Sequence, residues 1–234
     1  MTRLRKISLP ADVVLTEELI LKSLNSTDLH EHFSITDLPQ GMVGTSADLP
    51  AATVVFDLAG STLSIRERGA KAYAANSQDL FRGLTDKIYQ HGGIVEKFPG
   101  DGISMHFPAV NVSKKNAIVR AFKAILEMNY FLRVENGMKK EEYRFTLSYG
   151  DDTIVTKFGN KQHNELISIG HAVNVAHKLE KRVKNDGFSV GMDNECKKVI
   201  ETEWSSLVYH FRVMPSELCR DTQNREAWYG VNLQ

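Results

Sequence analysis

The stretch "VVFDLAGST", residues 54–62, runs from an apolar strand through an acid into a turn of small residues. Its first three residues are β-branched or aromatic, which is typical of a buried β-strand. A carboxylate buried at the end of such a strand, here Asp57, is costly unless a cation or several donors lie beside it. The small residues 59–62 let backbone N–H groups approach an anion closely. The stretch therefore predicts an anion site with a second acid nearby.

The composition limits the class of protein. The chain has 234 residues, 42% hydrophobic, enough for one large domain with an extension. Lys+Arg 29 against Asp+Glu 29 leaves no basic excess to neutralise nucleic-acid phosphates. The two cysteines, Cys196 and Cys219, form no metal-ligand pair. Because the sequence has no apolar run of about 20 residues and its start lacks the apolar core of a signal peptide, we expect a cytoplasmic protein without a membrane or nucleic-acid partner.

The first 50 residues differ in pattern from the rest. Residues 11–25, "ADVVLTEELILKSLN", have the spacing of a short amphipathic helix. Residues 36–50, "TDLPQGMVGTSADLP", are broken by Pro and Gly as in a linker. We therefore divide the chain into an N-terminal extension, 1–50, and a single domain, 51–234.

Strand and helix patterns alternate after Pro50. A strand at 51–58 is followed by a helical pattern that ends at Gly92 and Gly93. "IVEKF" and "ISMHF" are two short strands on either side of a four-residue turn, and a second amphipathic helix follows them. "YRFTLSYGDDTIVTKFGN", residues 143–160, is a hairpin or one long bent strand, and "AVNVAHKLEKRVKN" is helical. The order β-α-β-β-α-β, then α-β, predicts an α+β fold of the ferredoxin-like kind.

The turn between the two short strands supplies the second acid. Asp101 lies between two glycines there. In a βαββ arrangement the first strand pairs beside that hairpin, so the tip of the strand and the turn approach each other. Two carboxylates that meet in this way can share divalent metals, the usual arrangement for binding a triphosphate. The alternative for Asp101 is a favourable turn residue only, because Asp-Gly is a strong hairpin signal.

Several of these stretches together resemble the class III nucleotidyl cyclases, the catalytic domain of adenylate and guanylate cyclases. Residues 56–62, "FDLAGST", match the family's first metal motif, and residues 97–101, "KFPGD", match its second. Residues 170–179, "GHAVNVAHKL", match its helix signature, and "SYGDDTIVTKFG" is similar to the segment before that helix. The resemblance implies a ferredoxin-like βαββαβ core and a head-to-tail homodimer.

The resemblance also implies a metal site. Asp57 and Asp101, with the carbonyl of Leu58, would bind two Mn²⁺ or Mg²⁺ ions per site. One metal would lower the pKa of the ribose 3′-hydroxyl, and the other would hold the β- and γ-phosphates. The product would be a 3′,5′-cyclic nucleotide and pyrophosphate. The phosphates would be bound by backbone N–H groups of the small residues after the strand: Ala59, Gly60, Ser61 and Thr62.

By the same resemblance, Asn174 would orient the ribose and Lys178 would stabilise the charged transition state. The two residues are four apart, so they share one face of a helix. The family has Arg where this chain has Lys178, and lysine lacks the planar fork that binds two phosphate oxygens. The alternatives are that Lys178 is a solvated surface charge, or that Arg182, one turn later, replaces it. Arg220 and Arg225 are candidates for the late basic residue that binds the triphosphate.

The base-reading positions differ from those of adenylate cyclases. Lys97 occupies the position of the lysine that donates to the adenine ring in the family. Ile167 occupies the position of the acid or Thr that accepts from the adenine amino group, so that donor would stay unpaired, at a cost of about 1–3 kcal/mol. We expect UTP as the favoured substrate, because uracil has no amino group. A register in which Ser168 makes this contact would weaken the expectation.

A free-standing cyclase with altered base-reading positions is similar to the pyrimidine cyclases of bacterial anti-phage (Pycsar) systems. That resemblance implies cUMP as a second messenger for a separate cyclic-nucleotide-binding effector. The first alternative is an adenylate cyclase that makes cAMP. A second is a degenerate cyclase-like domain that binds a nucleotide and regulates a partner. A ferredoxin-like RNA-binding module is disfavoured by the neutral charge and the lack of paired aromatics on the central strands.

Overall fold

The computed structural model describes residues 46–60, 65–67, 69–110, 112–160, 163–214 and 227–233. The helix predicted at 11–25 lies outside these residues, and so do Ser61, Thr62, Cys219, Arg220 and Arg225.

The described residues form two β-sheets and four α-helices. The main sheet has seven strands in the order β3-β4-β2-β5-β8-β10-β9, and the small sheet has three in the order β1-β6-β7. The strands are β1 Ser46–Asp48, β2 Ala51–Leu58, β3 Ile94–Lys97, β4 Gly102–Pro108, β5 Tyr143–Gly150, β6 Ile154–Gly159, β7 Asn164–Ile169, β8 Val190–Met192, β9 Arg212–Val213 and β10 Tyr229–Val231. The helices are α1 Ala70–Gln90, α2 Lys114–Tyr130 with a π-helical continuation Phe131–Glu135, α3 His171–Asp186 and α4 Asn194–Glu203, with a 3₁₀ turn Ser205–His210.

The segment β2-α1-β3-β4-α2-β5 is the predicted ferredoxin-like core, and the α+β fold is confirmed. Strand β2 lies at its centre and pairs antiparallel with both β4 and β5. Alternate residues of β2 point to opposite faces, so one face buries Val54 and Phe56 in the main core. Helices α1 and α2 cover this face with apolar side chains at helical spacing: Leu84, Ile88, Ile118, Phe122, Ile125 and Met128.

Helix α3 covers part of the opposite face of the sheet. It contacts β5 and β2 through a stripe of mostly small apolar residues: Ala172, Val173, Val175, Ala176, Leu179 and Val183. The Thr146 hydroxyl on β5 donates to the Ala176 carbonyl at 2.9 Å, which fixes the helix against the sheet. Gly187 ends the helix in the left-handed conformation, with φ 72°, which glycine adopts without steric cost. This face of the sheet also has Asp57, because it is three residues after Val54.

Residues 143–160 form two separate strands in different sheets, so they are neither a hairpin nor one continuous bent strand, and both predicted alternatives are wrong. Strand β5 pairs with β2 and β8, whereas β6 pairs with β1 and β7. Strand β1 belongs to the part assigned to the N-terminal extension, and its residues 46–48 are paired with β6. Within the described part of the chain, no helix is long and apolar enough to cross a membrane.

Candidate active site

The structure brings Asp57 and Asp101 together at one edge of the sheet. Asp57 lies opposite Gly102 in the pairing of β2 with β4. The N–H of Leu58 donates to the carbonyl of Asp101 at 3.3 Å, which joins the end of β2 to the β3–β4 turn. A side chain at position 102 would place its Cβ 2.6 Å from the Phe56 carbonyl oxygen, so glycine is required for this close approach. The two acids therefore meet as the order of elements predicts.

Two further charged residues complete this cluster. Arg144 lies opposite Asp57 in the pairing of β2 with β5, and its Nη2 forms an ion pair with the Asp57 carboxylate. Its Nε donates to Glu180 of α3 at 2.7 Å. The side chains of Arg144, Asp57 and Glu180 are 7%, 20% and 21% exposed. The guanidinium is therefore buried between two carboxylates, one on the sheet and one on the helix.

Asp57 has a carboxyl group that resists ionisation in this environment. Burial raises the pKa of Asp57 to about 6, against the lowering effect of Arg144. The negative charges of Glu180 and Asp101 contribute to this raised pKa. The positive charge of Arg144 does not offset the combined effect of burial and of the two neighbouring acids on the pKa of Asp57. Arg144 therefore supplies less positive charge at this edge of the sheet than the acids there would need to be fully ionised.

This donor set fits a divalent cation. Carboxylate and carbonyl oxygens are the ligands that Mg²⁺ and Mn²⁺ favour, and Asp57, Asp101 and the Leu58 carbonyl are such oxygens. Among the residues the structure describes, no group of three or more His, Cys, Asp or Glu side chains is arranged to hold a metal. A metal here would thus depend on two carboxylates, a carbonyl and ligands from elsewhere, such as phosphate oxygens.

The turn after β2 is only partly described. The N–H of Ala59 donates to the Glu142 carbonyl at 2.7 Å, so it is already engaged within the protein. Gly60 has φ 79° and is exposed, in a conformation that favours glycine. Of the four residues predicted to bind phosphate, the structure describes Ala59 and Gly60. Gly60 is the one of these two whose N–H makes no hydrogen bond to the described residues.

The residues predicted to read the base lie where β3 approaches β7. Lys97, at the end of β3, is 44% exposed on its side chain, and its Nζ lies 3.6 Å from Glu96 Oε1. On β7, Ile167 is half-buried and lies opposite Thr156 of β6. Ser168, in contrast, is 8% exposed and turned toward Glu96. Its N–H and its hydroxyl donate to Glu96 Oε1 at 2.7 and 2.6 Å.

The buried carboxylate of Glu96 accepts hydrogen bonds on both of its oxygens. A register shift between Val95 and Lys97 marks a β-bulge at this position. The second carboxylate oxygen of Glu96, Oε2, accepts from the Ser104 hydroxyl at 2.7 Å and lies 3.6 Å from His106 Nε2. Burial raises the pKa of Glu96, but the nearby His106 and the hydrogen bonds from Ser168 and Ser104 outweigh burial and hold the pKa well below its ordinary value. Glu96 therefore ties β3 and β4 to β7.

The side chains of Asn174 and Lys178 make no hydrogen bond or ion pair with the charged cluster of Asp57, Arg144 and Glu180. Both are exposed on α3, one turn apart, and neither side chain makes a hydrogen bond or ion pair to the described residues. Arg182 is already paired with Asp186 at 2.8 Å, so it does not offer a free cation in place of Lys178. The same helix also presents Glu180 to Arg144. The side of α3 that faces the sheet thus contacts the charged cluster through Glu180, while Asn174 and Lys178 are exposed on the helix surface.

Solved structures with the same arrangement of elements are nucleotide cyclases. The adenylyl cyclase CyaB from P. aeruginosa has a TM-score of 0.64 at 18% identity, over 81% of this chain and 96% of that one. The guanylyl cyclase Cya2 has a TM-score of 0.59 at 20% identity, over 82% and 96%. The guanylate cyclase domain of RhGC from Catenaria anguillulae, in complex with GTP, has 0.60 at 16%, over 80% and 99%.

The chain has the class III cyclase fold. A bacterial light-regulated adenylyl cyclase matches 96% of this chain with 66% of its own length, at a TM-score of 0.64 and 18% identity. Neither a protein-family model nor a curated protein sequence matches the chain. The likeness is thus one of fold, which fits both adenylyl and guanylyl cyclases.

Three charged residues of this cyclase-fold site are not found by motif comparison. Arg144 stands out in the sequence as a lone charge within the buried strand "YRFTLSYG", all of which is buried. A charged residue is seldom buried without a partner, and this is the signal that could have identified Arg144. Glu180 and Glu96 carry no such signal, because each depends on a long-range contact, with β5 and with β7 respectively.

Proposed function

We propose that this protein is a metal-dependent nucleotidyl cyclase that converts a nucleoside triphosphate to a 3′,5′-cyclic nucleotide and pyrophosphate. The observation that supports it is the meeting of Asp57 and Asp101 at the sheet edge of a cyclase fold. Fold alone does not determine function. The raised pKa of Asp57, which reflects burial among like charges, supports a cation site at this edge.

The protein's own residues would bind and orient the substrate. Divalent metals at this edge would neutralise the triphosphate and make the ribose 3′-hydroxyl a better nucleophile. Asp57, Asp101 and the Leu58 carbonyl would hold the metals, and Gly60 would offer its N–H to the phosphates. The Arg144 guanidinium beside Asp57 is a second positive group suited to phosphate oxygens.

The proposed active enzyme is a homodimer. Asn174 and Lys178 are exposed on α3, and the described chain leaves their side chains without polar partners. In a head-to-tail dimer these residues would reach the acids of the partner subunit, to orient the ribose and to stabilise the transition state. Two-fold symmetry then creates two equivalent sites, each built from both chains.

For the base, we propose a preference for UTP, with ATP as the competing substrate. Ile167 offers no acceptor to an exocyclic amine. Ser168 has a hydroxyl oxygen that can accept, but the residue is 8% exposed and its hydroxyl is turned toward Glu96. Glu96 accepts three short hydrogen bonds and so offers no free lone pair of comparable quality. The strand thus satisfies its own polar groups and leaves an apolar side chain toward the base.

The cellular role we propose is second-messenger synthesis in the cytoplasm. By its similarity to the Pycsar pyrimidine cyclases, the product would be cUMP, and its target would be a separate cyclic-nucleotide-binding effector in an anti-phage response. This part of the proposal rests on the resemblance of the motifs in the sequence.

One assay tests the reaction and the base. The pure protein is incubated with each of the four nucleoside triphosphates and Mn²⁺, then with all four in competition, and the products are identified by mass spectrometry. A cyclic nucleotide made by the unmodified protein and lost in Asp101→Asn supports the cyclase. Asp86→Asn, which removes an exposed acid of α1, is the matched control and should stay active.

The outcomes separate the alternatives. A preference for UTP supports the pyrimidine cyclase, whereas a clear preference for ATP favours an adenylate cyclase. Binding of a nucleotide without any cyclic product, in the presence of either Mn²⁺ or Mg²⁺, contradicts the proposed reaction and favours a regulatory nucleotide-binding domain.

A further inference from the structure

Arg144 occupies a special position in the charged cluster. It is the residue directly opposite Asp57 on the neighbouring strand, and its guanidinium is 7% exposed. One end of the guanidinium, Nη2, pairs with Asp57, and a different nitrogen, Nε, donates to Glu180 at 2.7 Å. The arginine thus has two anchors, of which only one is an acid expected to bind metal.

We propose that Arg144 is a built-in cation that occupies the Asp57 carboxylate in the metal-free protein, and that Glu180 retains the guanidinium when a metal displaces it. Arg144 is then the competitor of the metal, and Glu180 is a positioning residue that acts through Arg144. This inference rests on the proposed function, because it requires a metal at Asp57.

The charges explain why such an exchange is favourable. Two carboxylates, those of Asp57 and Glu180, share one arginine at the sheet edge, and the charge of Asp101 acts on Asp57 as well. A divalent ion adds two positive charges to this group, so the cluster as a whole stays attracted to both the metal and the guanidinium. Glu180 takes no part in holding the metal in the proposed site, and its ion pair with Nε is free to persist.

The position of Glu180 on α3 has a second consequence. Glu180 lies on α3, and the same helix has Asn174 and Lys178 on its exposed side. In the proposed dimer, Asn174 and Lys178 serve the other active site. The Arg144–Glu180 ion pair therefore links the metal-binding acids of one site to the helix that completes the second.

The test measures Mn²⁺ binding to the full chain without nucleotide, by electron paramagnetic resonance of free Mn²⁺. Arg144→Gln removes the competing cation and should tighten Mn²⁺ binding at least about fivefold. Glu180→Gln leaves Arg144 to Asp57 alone and should weaken binding about threefold. Lys181→Gln, which removes an exposed cation beside Glu180 on α3, is the control and should change binding by less than about twofold.

The double variant Arg144→Gln/Glu180→Gln separates the two explanations of the Glu180 effect. If Glu180 acts through Arg144, the weakening caused by Glu180→Gln disappears once Arg144 is gone. If the weakening persists, Glu180 attracts the metal directly and its role as a positioning residue is wrong. Should Arg144→Gln fail to fold, the single variant Glu180→Gln still decides, because unchanged or tighter binding overturns the proposal.

Failure of this inference is distinguishable from failure of the proposed function. Mn²⁺ binding that is lost in Asp57→Asn but not tightened in Arg144→Gln overturns the role of Arg144 and leaves the metal site intact. Mn²⁺ binding that is unaffected by Asp57→Asn and Asp101→Asn places no metal at this edge, which overturns the metal site of the proposed cyclase as well.

Discussion

Asp57 and Glu96 are two carboxylates of the same sheet with opposite properties. Asp57 shares one arginine with Glu180, and its pKa is raised to about 6 by burial and by the negative charges of Glu180 and Asp101. Glu96 is more deeply buried, at 3% side-chain exposure, yet its pKa is lowered because His106 lies close by and Ser168 and Ser104 supply hydrogen bonds. Burial alone therefore does not decide the charge of a carboxylate. Glu96 has enough hydrogen-bond donors to stay ionised within the fold, whereas the single arginine beside Asp57 does not offset burial and the neighbouring acids.

The largest expected effect comes from breaking the unsatisfied site. Asp57→Ala and Asn174→Ala should each lower cyclase activity about a thousandfold, because one removes a metal ligand and the other a group that orients the ribose. Mixed in equal amounts, the two inactive proteins should recover about a quarter of the normal activity, since half the dimers would have one intact site. The rate of cyclic-nucleotide formation after verified subunit exchange is the measurement.

Recovery in that mixture distinguishes a shared site from a site within one chain. Asp57→Ala mixed with Asp101→Ala is the control, because both changes lie on the same half of the site and no intact site can form. Equal activity in the two mixtures would contradict the shared dimer site.

The satisfied carboxylate should affect stability rather than chemistry. Glu96→Ala leaves three buried donors, on Ser168 and Ser104, without an acceptor, and should lower the free energy of unfolding by about 2–4 kcal/mol. Urea denaturation measures it, with Glu165→Ala, which removes an exposed acid of β7, as the control. If Glu96→Ala unfolds at the same urea concentration as the unmodified protein, the Glu96 hydrogen bonds do not hold β7 to the main sheet.

The sequence predicts the fold well because its signals are local. Periodicity identifies β2, α1 and the β3–β4 turn, and the order of elements then places Asp57 beside Asp101 without further information. The partners of these acids are harder to predict. Arg144 meets Asp57 only through the register of β5 on β2. Glu96 turns inward at a β-bulge, and a one-residue change of register reverses the face of a strand.

The same comparison predicts a pH dependence of stability. The pKa of Asp57 is raised from 3.8 to about 6 on folding, so the folded state prefers the protonated acid. The ionised carboxylate therefore costs stability fully above about pH 6, and this cost vanishes as the pH falls below about 4. In EDTA, Asp57→Asn should be more stable than the unmodified protein by about 1 kcal/mol at pH 8, after allowance for partial exposure, and equal to it near pH 4.

Thermal unfolding at pH 4 and pH 8 measures this difference. Asp86→Asn, on the exposed side of α1, should show no such dependence. A metal-free protein that is destabilised by Asp57→Asn at pH 8 would show that Arg144 outweighs burial and the neighbouring acids.

The smallest expected effect concerns the strand that Glu96 holds in place. Glu96 engages both donors of Ser168, so we expect the preceding side chain, Ile167, to face the base. Ile167→Asp restores an acceptor for an exocyclic amine and should raise the kcat/KM ratio of ATP over UTP about tenfold, the value of one hydrogen bond to a buried donor. Ile167→Asn, which restores an acceptor without a charge, should give the same direction with a smaller change. If both variants leave the ratio unchanged while Ser168→Ala shifts it, then Ser168 reads the base, and the apolar position of Ile167 is not the cause of the preference.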